Sequence, residues 1–299
     1  MAEDSAQLPR FSVVVPTYGR ARQLGDCLAA LAAQGYPRDR FEVVVADDGS
    51  SRPPHDVVER MRGSLDVRLL AGPHRGPAAA RNLGADAARG ELLAFTDDDC
   101  RPTPGWLRTL AARLCAQPRA AVGGCVRNGL AGNLFSTGSQ LLVDFLYQRW
   151  NERPEGPLLF TSNNLAMRAD LFREIGGFDA SFPLPAAEDR DFCDRWRARG
   201  LPLSYAPEAV VDHYHELDAG RFWHQHFRYG VGARHFHRLR AARGEGRPRL
   251  EGPGFYLGML AFPFSRAPVP RAAALSALFA LAQVANAAGY VSAGRGERA

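Results

Sequence analysis

Lysine is absent from the sequence, and all 37 Lys and Arg positions are arginine. A P-loop of the form GxxxxGK[ST] therefore cannot occur, because that loop needs its lysine to bind phosphate. The turn after the first strand-like run reads PTYGR, so the GxGxxG fingerprint of dinucleotide-binding proteins is also missing. No GxSxG turn supports a hydrolase triad. These absences exclude three common classes of α/β enzyme.

Cysteine is scarce, and none of the five cysteines forms a CxxC pair. Most of them lie beside apolar residues or in helix-like segments, as reduced core thiols of a cytosolic protein do. The first residues, MAEDSAQLPR, contain acids and no apolar core, so we expect no secretory signal and a cytoplasmic location. The length of 299 residues fits one large domain, or one domain with an appendage.

Short β-branched runs alternate with helical spacings in the first hundred residues. Helices are predicted around 24–31, after Pro53 and Pro54, and over 77–89. Such alternation indicates an α/β domain with a largely parallel sheet. The strands are predicted at 11–16, 41–45, 67–70 and 92–95.

Polar clusters follow three of these strands. Thr17 and Tyr18 follow the first strand, ADDGS (46–50) follows the second, and the aspartates 97–99 follow the fourth. The carboxyl ends of parallel strands meet at one edge, so we expect the clusters to converge there. Three adjacent carboxylates repel one another unless something compensates them. A turn in water is one explanation, and a divalent cation that carries a phosphate is the other.

A second acidic group begins a later helix. The run AAEDRDFCDRWRARG opens with Glu188, Asp189 and Asp191, after a predicted strand over 163–167 and a predicted helix over 169–175. Acidic residues are favoured at a helix N-terminus by the helix dipole, so ordinary capping is one interpretation of Asp189. The other interpretation is a general base that deprotonates a hydroxyl nucleophile.

The motifs in this order resemble those of family-2 glycosyltransferases with the GT-A fold. The resemblance covers residues 10–215. It implies an α/β fold with a mostly parallel central sheet flanked by helices, and a C-terminal helical appendage follows. It also implies an inverting enzyme that moves a sugar from a nucleotide diphosphate sugar to a hydroxyl acceptor, such as a cell-surface glycan or a lipid-linked precursor. The motifs are VVVPTYGR, VVVADDGS, RGPAAARNLGADAARGELLAFTDDDC, PGWL, SNNLAMRADLFREIGGFD, EDRDFCDRWRARG and VVDHYH.

The resemblance implies a set of donor-binding residues. Asp48 matches the contact to the nucleotide base, and Thr17 and Tyr18 match residues along the nucleoside. Arg81 and Asn82 match positions that line the nucleotide pocket. The expected donor- and cofactor-binding residues are Pro16, Thr17, Tyr18, Arg20, Asp48, Arg81, Asn82, Asp97, Asp98 and Arg195.

The resemblance also implies metal and catalytic residues. Asp97 and Asp99 form the family's Asp-x-Asp. Asp99 matches a direct ligand of Mn²⁺ or Mg²⁺, and Asp97 matches a ribose or metal contact. His213 matches a late histidine that reaches the metal or the diphosphate. Asp189 matches the catalytic base, and Glu188 either orients it or touches the acceptor.

Two other functional classes stay open. One is a nucleotide-sugar-binding protein without turnover, and the presence of Asp99, Asp189 and His213 argues against it. The other is a sugar nucleotidyltransferase, which would need a Gly-rich basic loop for a triphosphate after the first strand. PTYGR supplies only one glycine and Arg20 there.

For several other residues the sequence leaves both a packing role and a functional role possible. Trp106 borders an acceptor pocket or packs in the core. Gly123 and Gly124 allow close approach to the sugar or form a strand bulge. Asp47 is expected to be structural and to face away from Asp48.

Residues 221–299 are predicted to form a helical extension, after an N-terminal tail (1–9) and a glycosyltransferase domain (10–220). The run 220–249 interleaves arginine and histidine with aromatics, which suits an anionic membrane surface or a basic lid over the diphosphate. We expect no nucleic-acid partner, because no recognition motif accompanies the charge. Histidine pairs recur at 213/215, 224/226 and 235/237, but a zinc site is not favoured without nearby cysteine.

The stretch 272–290 is uncharged and could just span a bilayer. It is rich in alanine and contains Gln283 and Asn286, so membrane-surface association through 255–294 is predicted rather than a span. A helix that simply packs on the protein is the alternative.

Overall fold

Eight strands build one mixed sheet in the part of the chain that the computed structural model describes. Those residues are 8–151, 159–182, 184, 186–245 and 251–296. The strands are β1 (Phe11–Thr17), β2 (Phe41–Asp47), β3 (Val67–Ala71), β4 (Leu92–Phe95), β5 (Cys100–Pro102), β6 (Ala121–Asn128), β7 (Leu165–Arg168) and β8 (Leu203–His213). Their order across the sheet is β3-β2-β1-β4-β7-β6-β8-β5.

The sheet is parallel in one half and antiparallel in the other. The strands β3, β2, β1 and β4 run parallel to one another. β7 pairs antiparallel with β4 and with β6, and β5 pairs antiparallel with β8. The predicted parallel α/β core is therefore present, and the antiparallel half extends it beyond β4.

The chain divides into two compact units. The first comprises Met1–Arg127, Pro154–Ala180 and Asp189–Tyr214, and the second comprises Asn128–Arg153, Ser181–Glu188 and His215–Ala299. The predicted division at residue 220 stays a prediction.

Helices connect and follow the strands. Within the described ranges the α-helices are α1 (Ala21–Ala32), α2 (His55–Met61), α3 (Pro77–Asp86), α4 (Trp106–Ala116), α5 (Leu134–Trp150), α6 (Ala169–Ile175), α7 (Glu188–Ala198), α8 (Ala219–Ala242), α9 (Pro253–Ala261) and α10 (Val269–Gly296).

The parallel core forms where apolar pattern and strand propensity agree. Every residue of β1 and β2 is buried, as expected for β-branched strands covered on both faces. The buried positions of α1 recur at the predicted helical spacing: Leu24, Cys27, Leu28 and Leu31. In register, Thr17 pairs with Asp47, so β1 and β2 end at the same edge of the sheet.

Some predicted element boundaries were wrong for local reasons. Residues 163–167 do not form one strand, because Ser162–Asn164 is a turn of 3₁₀-helix that precedes β7. The amide of Asn164 explains the turn: it accepts a hydrogen bond from Trp106 and donates to the carbonyls of Cys125 and Ala209. α3 ends at Asp86 rather than at residue 89.

The second unit has an aromatic core of its own. Leu142, Phe145, Phe222 and Phe279 are among its buried residues. Two glycines allow helices α8 and α10 to approach closely. A side chain at Gly230 would clash with Asn286, and one at Gly289 would clash with Phe227. α10 is long and apolar enough, over Val269–Gly294, to cross a membrane: an 18-residue window within it has a mean hydropathy of 1.5, but 39% of that window is buried within the protein.

A buried carboxylate, Glu42 near the start of β2, connects the N-terminal ends of the parallel strands. Ser12 donates a hydrogen bond to Glu42 at 2.6 Å, and Arg68 and Arg89 donate to it at 2.9 and 2.8 Å. Burial alone would raise the pKa of Glu42, but the hydrogen bonds from Ser12, Arg89 and Arg68 outweigh burial and lower the pKa to about 2.

We expect Glu42→Gln to lower the free energy of unfolding at pH 7 by roughly 3 kcal/mol, measured by urea denaturation. A lowered carboxyl pKa stabilises the fold above the unfolded-state value of about 4.3, and this contribution is lost as pH falls toward about 2. The difference between variant and wild type should therefore shrink in acid. Glu59→Gln is the control, since Glu59 is an exposed acid paired with Arg62. Equal stability of Glu42→Gln and wild type at pH 7 would contradict this account.

Candidate active site

The predicted polar clusters meet at the edge where β1, β2 and β4 end. The Thr17 hydroxyl donates to the Asp98 carboxylate at 2.7 Å. The backbone N–H of Asp48 donates to the Thr17 carbonyl at 2.9 Å. The three segments are far apart in sequence, and they converge because parallel strands end side by side.

The three adjacent aspartates are compensated by two arginines in this structure. Arg20 lies 2.9 Å from Asp99 and 3.2 Å from Asp98. Arg81, which is only 4% exposed, lies 2.7 Å from Asp97. These contacts leave the solvated-turn explanation unsupported, because Asp98 and Asp99 are nearly inaccessible to water.

Asp98 points into the protein, between its two neighbours in the sequence. Burial raises the pKa of Asp98, and Asp99 and Asp97 raise it further, while Arg20 and the Thr17 hydrogen bond lower it. The resulting pKa is about 6. Asp98 therefore holds the edge together through Thr17 and Arg20, and its predicted contact with the donor stays a prediction.

His213 lies beside Asp99 because β5 and β8 are paired. Cys100 is in register with His213, and the N–H of Tyr214 donates to the Asp99 carbonyl. The His213 Nε2 atom lies 3.3 Å from an Asp99 oxygen. Burial opposes the charged imidazolium, but Asp99 outweighs burial and the pKa of His213 is raised.

A metal-ligand set is present at this point. Ligand atoms of Asp99, Cys100 and His213 lie within 4.8 Å of one another, the one such group found among the described residues. Burial raises the pKa of the Cys100 thiol well above its ordinary value, so the thiol stays protonated and is a poor ligand. Asp99 and His213 would be the protein ligands of Mn²⁺ or Mg²⁺; the carboxylate fits both ions, whereas the imidazole nitrogen suits Mg²⁺ less well.

The later histidines take part in packing. His237 lies 3.1 Å from the Tyr290 hydroxyl, and His235 lies 3.1 Å from the Ser181 hydroxyl. His226 is buried against Phe222. Within the described ranges these histidines form no candidate ligand group, and the expectation about zinc stays a prediction.

Asp48 is held by the loop that precedes α3. Its carboxylate accepts hydrogen bonds from the N–H groups of Arg75 and Gly76, at 2.8 and 2.9 Å. The imidazole of His74 lies 2.9 Å from the same carboxylate and stacks on exposed Tyr18, with ring centroids 4.2 Å apart. Arg75 and Gly76 open the motif RGPAAARNLG, but no role of its own was assigned to this loop from the sequence, although Gly76, at φ 88°, marks a required turn.

Asp47 takes the structural role that was expected. It is fully buried, and its carboxylate accepts hydrogen bonds from the N–H and the hydroxyl of Ser50. The hydroxyl of Ser50 in turn accepts from the N–H of Gly19 at 2.8 Å. The turn after β2 therefore supports the turn after β1, next to buried Pro16.

Asp189 and Glu188 form the first residues of α7. Glu188 is buried, and Asp189 is partly buried. Burial raises the pKa of Asp189, and the negative charge of Asp97 raises it further. The N–H of Arg190, the charge of Arg81 and the N–H of Ser162 lower this pKa. The net pKa lies above the ordinary value of an aspartate. Asp189 is therefore close enough to the edge with Asp97 and Arg81 for their charges to act on its carboxyl.

The entry into α7 is strained. Ala187 has φ 70°, the single non-glycine residue with positive φ among those described. A left-handed conformation costs a residue with a Cβ about 1–2 kcal/mol, and such strain is common at functional sites. Alanine in a left-handed position gives no sequence signal, so pattern reasoning could not find it.

Two predicted donor-binding residues are engaged in holding a loop. The amide of Asn82 donates to the Phe178 carbonyl at 2.7 Å and accepts from the Phe178 N–H at 2.9 Å. Arg195 donates to Asp191 and to the carbonyls of Ile175 and Gly177. Both side chains therefore fix the Gly176–Gly177 turn. Their direct contact with the donor stays a prediction.

Trp106 and the glycines of β6 serve packing. Trp106 is fully buried, and its indole N–H donates to Asn164 at 2.8 Å. A side chain at Gly123 would clash with the Phe160 ring, and one at Gly124 would clash with Asn164 and with the Ala209 carbonyl. Close approach of protein atoms therefore explains both glycines.

The sequence matches known proteins over most of its length. The family profile described as Glycosyl transferase family 2 matches residues 12–176. Glycosyltransferase AglE of Haloferax volcanii is 27% identical over 230 residues, 76% of this chain and 74% of that protein. The pre-mycofactocin glycosyltransferase of Mycobacterium tuberculosis is 31% identical over 209 residues, 68% of this chain but only 42% of that protein.

Solved structures resemble this one over nearly the whole chain. The mannosyltransferase PcManGT from Pyrobaculum calidifontis, in complex with GDP-Man and Mn²⁺, superposes with a TM-score of 0.64 at 23% identity, covering 97% of this chain and 88% of that chain. S. aureus TarS 1–349 in complex with UDP gives a TM-score of 0.56 at 21% identity, covering 97% and 91%. At these identities the likeness is one of fold.

We expect Asp98→Asn to gain stability relative to wild type as pH rises from about 4 to 7, by roughly 2–3 kcal/mol. A carboxyl whose pKa is about 6 when folded and about 3.9 when unfolded loses folding free energy as pH rises through this interval. The asparagine does not ionise, so it avoids that loss. Urea unfolding in EDTA measures the difference, with exposed Asp56→Asn as control. Free energies of unfolding that change equally with pH in Asp98→Asn and in wild type would refute the raised pKa of Asp98.

Proposed function

The chain belongs to glycosyl transferase family 2, has the GT-A fold and is a glycosyltransferase, and from this premise we propose the finer activity. We propose an inverting, divalent-metal-dependent enzyme that moves a sugar from a nucleotide diphosphate sugar to a hydroxyl acceptor. Asp189 is the proposed general base.

One observation carries this proposal. Ligand atoms of Asp99 and His213 lie within 4.8 Å of one another at the aspartate edge, close enough to hold one cation. Arg81 contacts Asp97 of the same edge at 2.7 Å and also lowers the pKa of Asp189, so Asp189 lies near that edge. A cation site near a partly buried carboxyl base suits transfer from a diphosphate donor.

In the proposed step, the Asp189 carboxylate accepts the proton of the acceptor hydroxyl. The hydroxyl oxygen forms a bond to the anomeric carbon of the donor, and the bond from that carbon to the diphosphate oxygen breaks. The electron pair stays on the diphosphate. Attack from the opposite face inverts the configuration. The raised pKa makes Asp189 a stronger base than an ordinary aspartate, and its burial limits competition from water.

Asp99 and His213 would hold the cation, and Asp97 would contact the cation or the ribose. When bound, the cation acts as a Lewis acid toward the diphosphate. Arg20 already lies between Asp98 and Asp99 and holds their charges together. Glu188 is next to the base in the chain, and we assign it to orienting Asp189 or to contacting the acceptor.

The donor class rests on chemistry and on the likeness to solved structures. The solved complexes carry GDP-Man with Mn²⁺, UDP, or UDP-GlcNAc, each on a protein of this fold. In this chain, Tyr18 and His74 stack beside Asp48 at the edge where the nucleoside is expected. We propose a nucleoside diphosphate sugar as donor.

The proposed acceptor is a hydroxyl-bearing sugar or a lipid-linked precursor, and the proposed location is the cytoplasm. None of the five cysteines forms a disulfide in the part of the chain that the structure describes, which suits a reducing compartment. A nucleotidyltransferase is less well supported. The turn after β1 offers Gly19 and Arg20, and Arg20 is engaged with Asp98 and Asp99 rather than open to a triphosphate.

We expect Asp189→Asn to lower turnover by roughly 10²–10⁴-fold, with the dissociation constant for the donor nucleotide within about twofold of wild type. The asparagine cannot accept the proton, whereas nucleotide binding depends on other residues. In wild type, kcat/KM should fall as pH drops through the raised pKa of Asp189, because only the ionised carboxylate accepts a proton.

Asp170→Asn serves as the matched control, since Asp170 is an exposed acid of the same unit, paired with Arg168. Near-wild-type turnover in Asp189→Asn would remove the base assignment. Donor binding without turnover in wild type, across sugar and lipid-linked acceptors, would favour the binding-protein alternative. Release of pyrophosphate from a nucleoside triphosphate and a sugar phosphate would favour the nucleotidyltransferase.

A further inference from the structure

The C-terminal helix α10 has the reverse of the usual surface polarity. A helix that faces water carries polar residues outward and apolar residues inward. Between 272 and 291, all polar side chains of α10 are on partly buried positions: Ser276, Gln283, Asn286 and Tyr290. The exposed positions of the same stretch are all apolar: Ala273, Ala277, Ala280, Leu281, Val284, Ala287 and Val291.

The inner side of α10 is fixed within the second unit. The hydroxyl of Ser276 donates to the Leu260 carbonyl at 2.6 Å, and the Tyr290 hydroxyl lies 3.1 Å from His237. Gly289 meets Phe227 of α8 at close range. α10 is therefore tied to its neighbours along the polar side, and the apolar side is the one that faces out.

Further large apolar side chains are exposed on the elements that lead into α10. Leu257 of α9 is 69% exposed, Phe264 in the following 3₁₀ turn is 50% exposed, and Val269 at the start of α10 is 69% exposed. We call these residues, with the exposed positions of α10, the outer apolar face. Large side chains exposed together in this way mark an interaction surface.

The segment that carries the outer apolar face contains cationic residues and no acid. Between residues 252 and 294 it has arginines at 266 and 271 and no aspartate or glutamate. One acid of α5 is near, because the charge of Arg266 lowers the pKa of Asp144, which burial raises. Arg266 is exposed and lies over the Phe262 ring at 5.1 Å, next to Phe264. The surface is thus apolar with a cationic end.

We propose that the outer apolar face docks on an anionic lipid bilayer, with α10 lying in the interface plane. The apolar side chains enter the boundary between headgroups and acyl chains, and Arg266 contacts lipid phosphate. α10 lies along the surface rather than across it, because its other side is bound to α8. This inference concerns where the enzyme works and is independent of the transfer chemistry.

A second copy of the chain fits this surface less well. A two-fold interface places the same patch against itself, and between residues 252 and 294 the segment offers no acid with which Arg266 of the second copy could pair. Protein interfaces of ordinary size also carry hydrogen bonds across the contact. The outer apolar face of α10 offers none from its side chains between 272 and 291.

Co-sedimentation of the full chain with lipid vesicles tests the proposal. Wild type should bind vesicles of equal parts phosphatidylglycerol and phosphatidylcholine, and should bind pure phosphatidylcholine vesicles more weakly. Leu281→Ser combined with Val284→Ser should weaken binding at least tenfold, because two exposed apolar side chains no longer enter the bilayer. Arg266→Gln should reduce the preference for phosphatidylglycerol severalfold.

Arg60→Gln is the matched control, since Arg60 is exposed on α2 of the first unit, and its binding should match wild type. Circular dichroism melting of each variant separates loss of binding from loss of fold. Wild type that stays in the supernatant with both vesicle types would overturn the proposal. So would a folded Leu281→Ser/Val284→Ser variant that binds as wild type does. Sedimentation velocity without lipid that shows a dimer for wild type and a monomer for this variant would assign the face to self-association instead.

Discussion

Mutual repulsion of three consecutive carboxylates, Asp97, Asp98 and Asp99, is the constraint that organises the site. Two of them are almost completely buried, and burial of charge is costly without a partner. Arg20 from the turn after β1 and Arg81 from α3 supply positive charge from two directions. Burial raises the pKa of Asp98 to about 6, with smaller contributions from Asp99 and Asp97, and a cation bound at the edge would offset the repulsion among the three carboxylates.

The rest of the first unit can be understood as the support of this edge. Parallel pairing of β1 with β2 and β4 brings the turns together, and the antiparallel pairing of β5 with β8 brings His213 to Asp99. Arg81 then links the edge to Asp189, because it contacts Asp97 and lowers the pKa of Asp189. In the proposed mechanism, donor binding and acceptor deprotonation would therefore depend on one connected set of charges.

The sequence predicted the parts of the site that follow from local pattern. β-branched runs followed by polar turns indicated the parallel strands and their shared edge. Relations across the fold were not predictable in this way. Nothing local shows that Asn82 pairs with the backbone of Phe178, or that Arg195 holds Gly177. In the antiparallel half of the sheet, the sequence predicted only the strand that became β7. β5 has three residues, β6 carries two adjacent glycines, and β8 contains Pro207, so none of them shows a regular strand pattern. The inverted polarity of α10 could be recognised only from the structure, because an alanine-rich sequence does not reveal which side of the helix packs against the protein.

Calorimetric titration with UDP, GDP and dTDP, each with and without Mn²⁺, tests most directly whether the carboxylate edge is a metal and nucleotide site. Wild type is compared with Asp99→Ala and with the exposed-acid control Asp56→Ala. We expect one nucleotide to bind wild type and the control only when Mn²⁺ is present, and not to bind Asp99→Ala. Metal-independent binding, or unchanged Mn²⁺-dependent binding in Asp99→Ala, would contradict the assignment of Asp99 as the ligand that joins donor and cation.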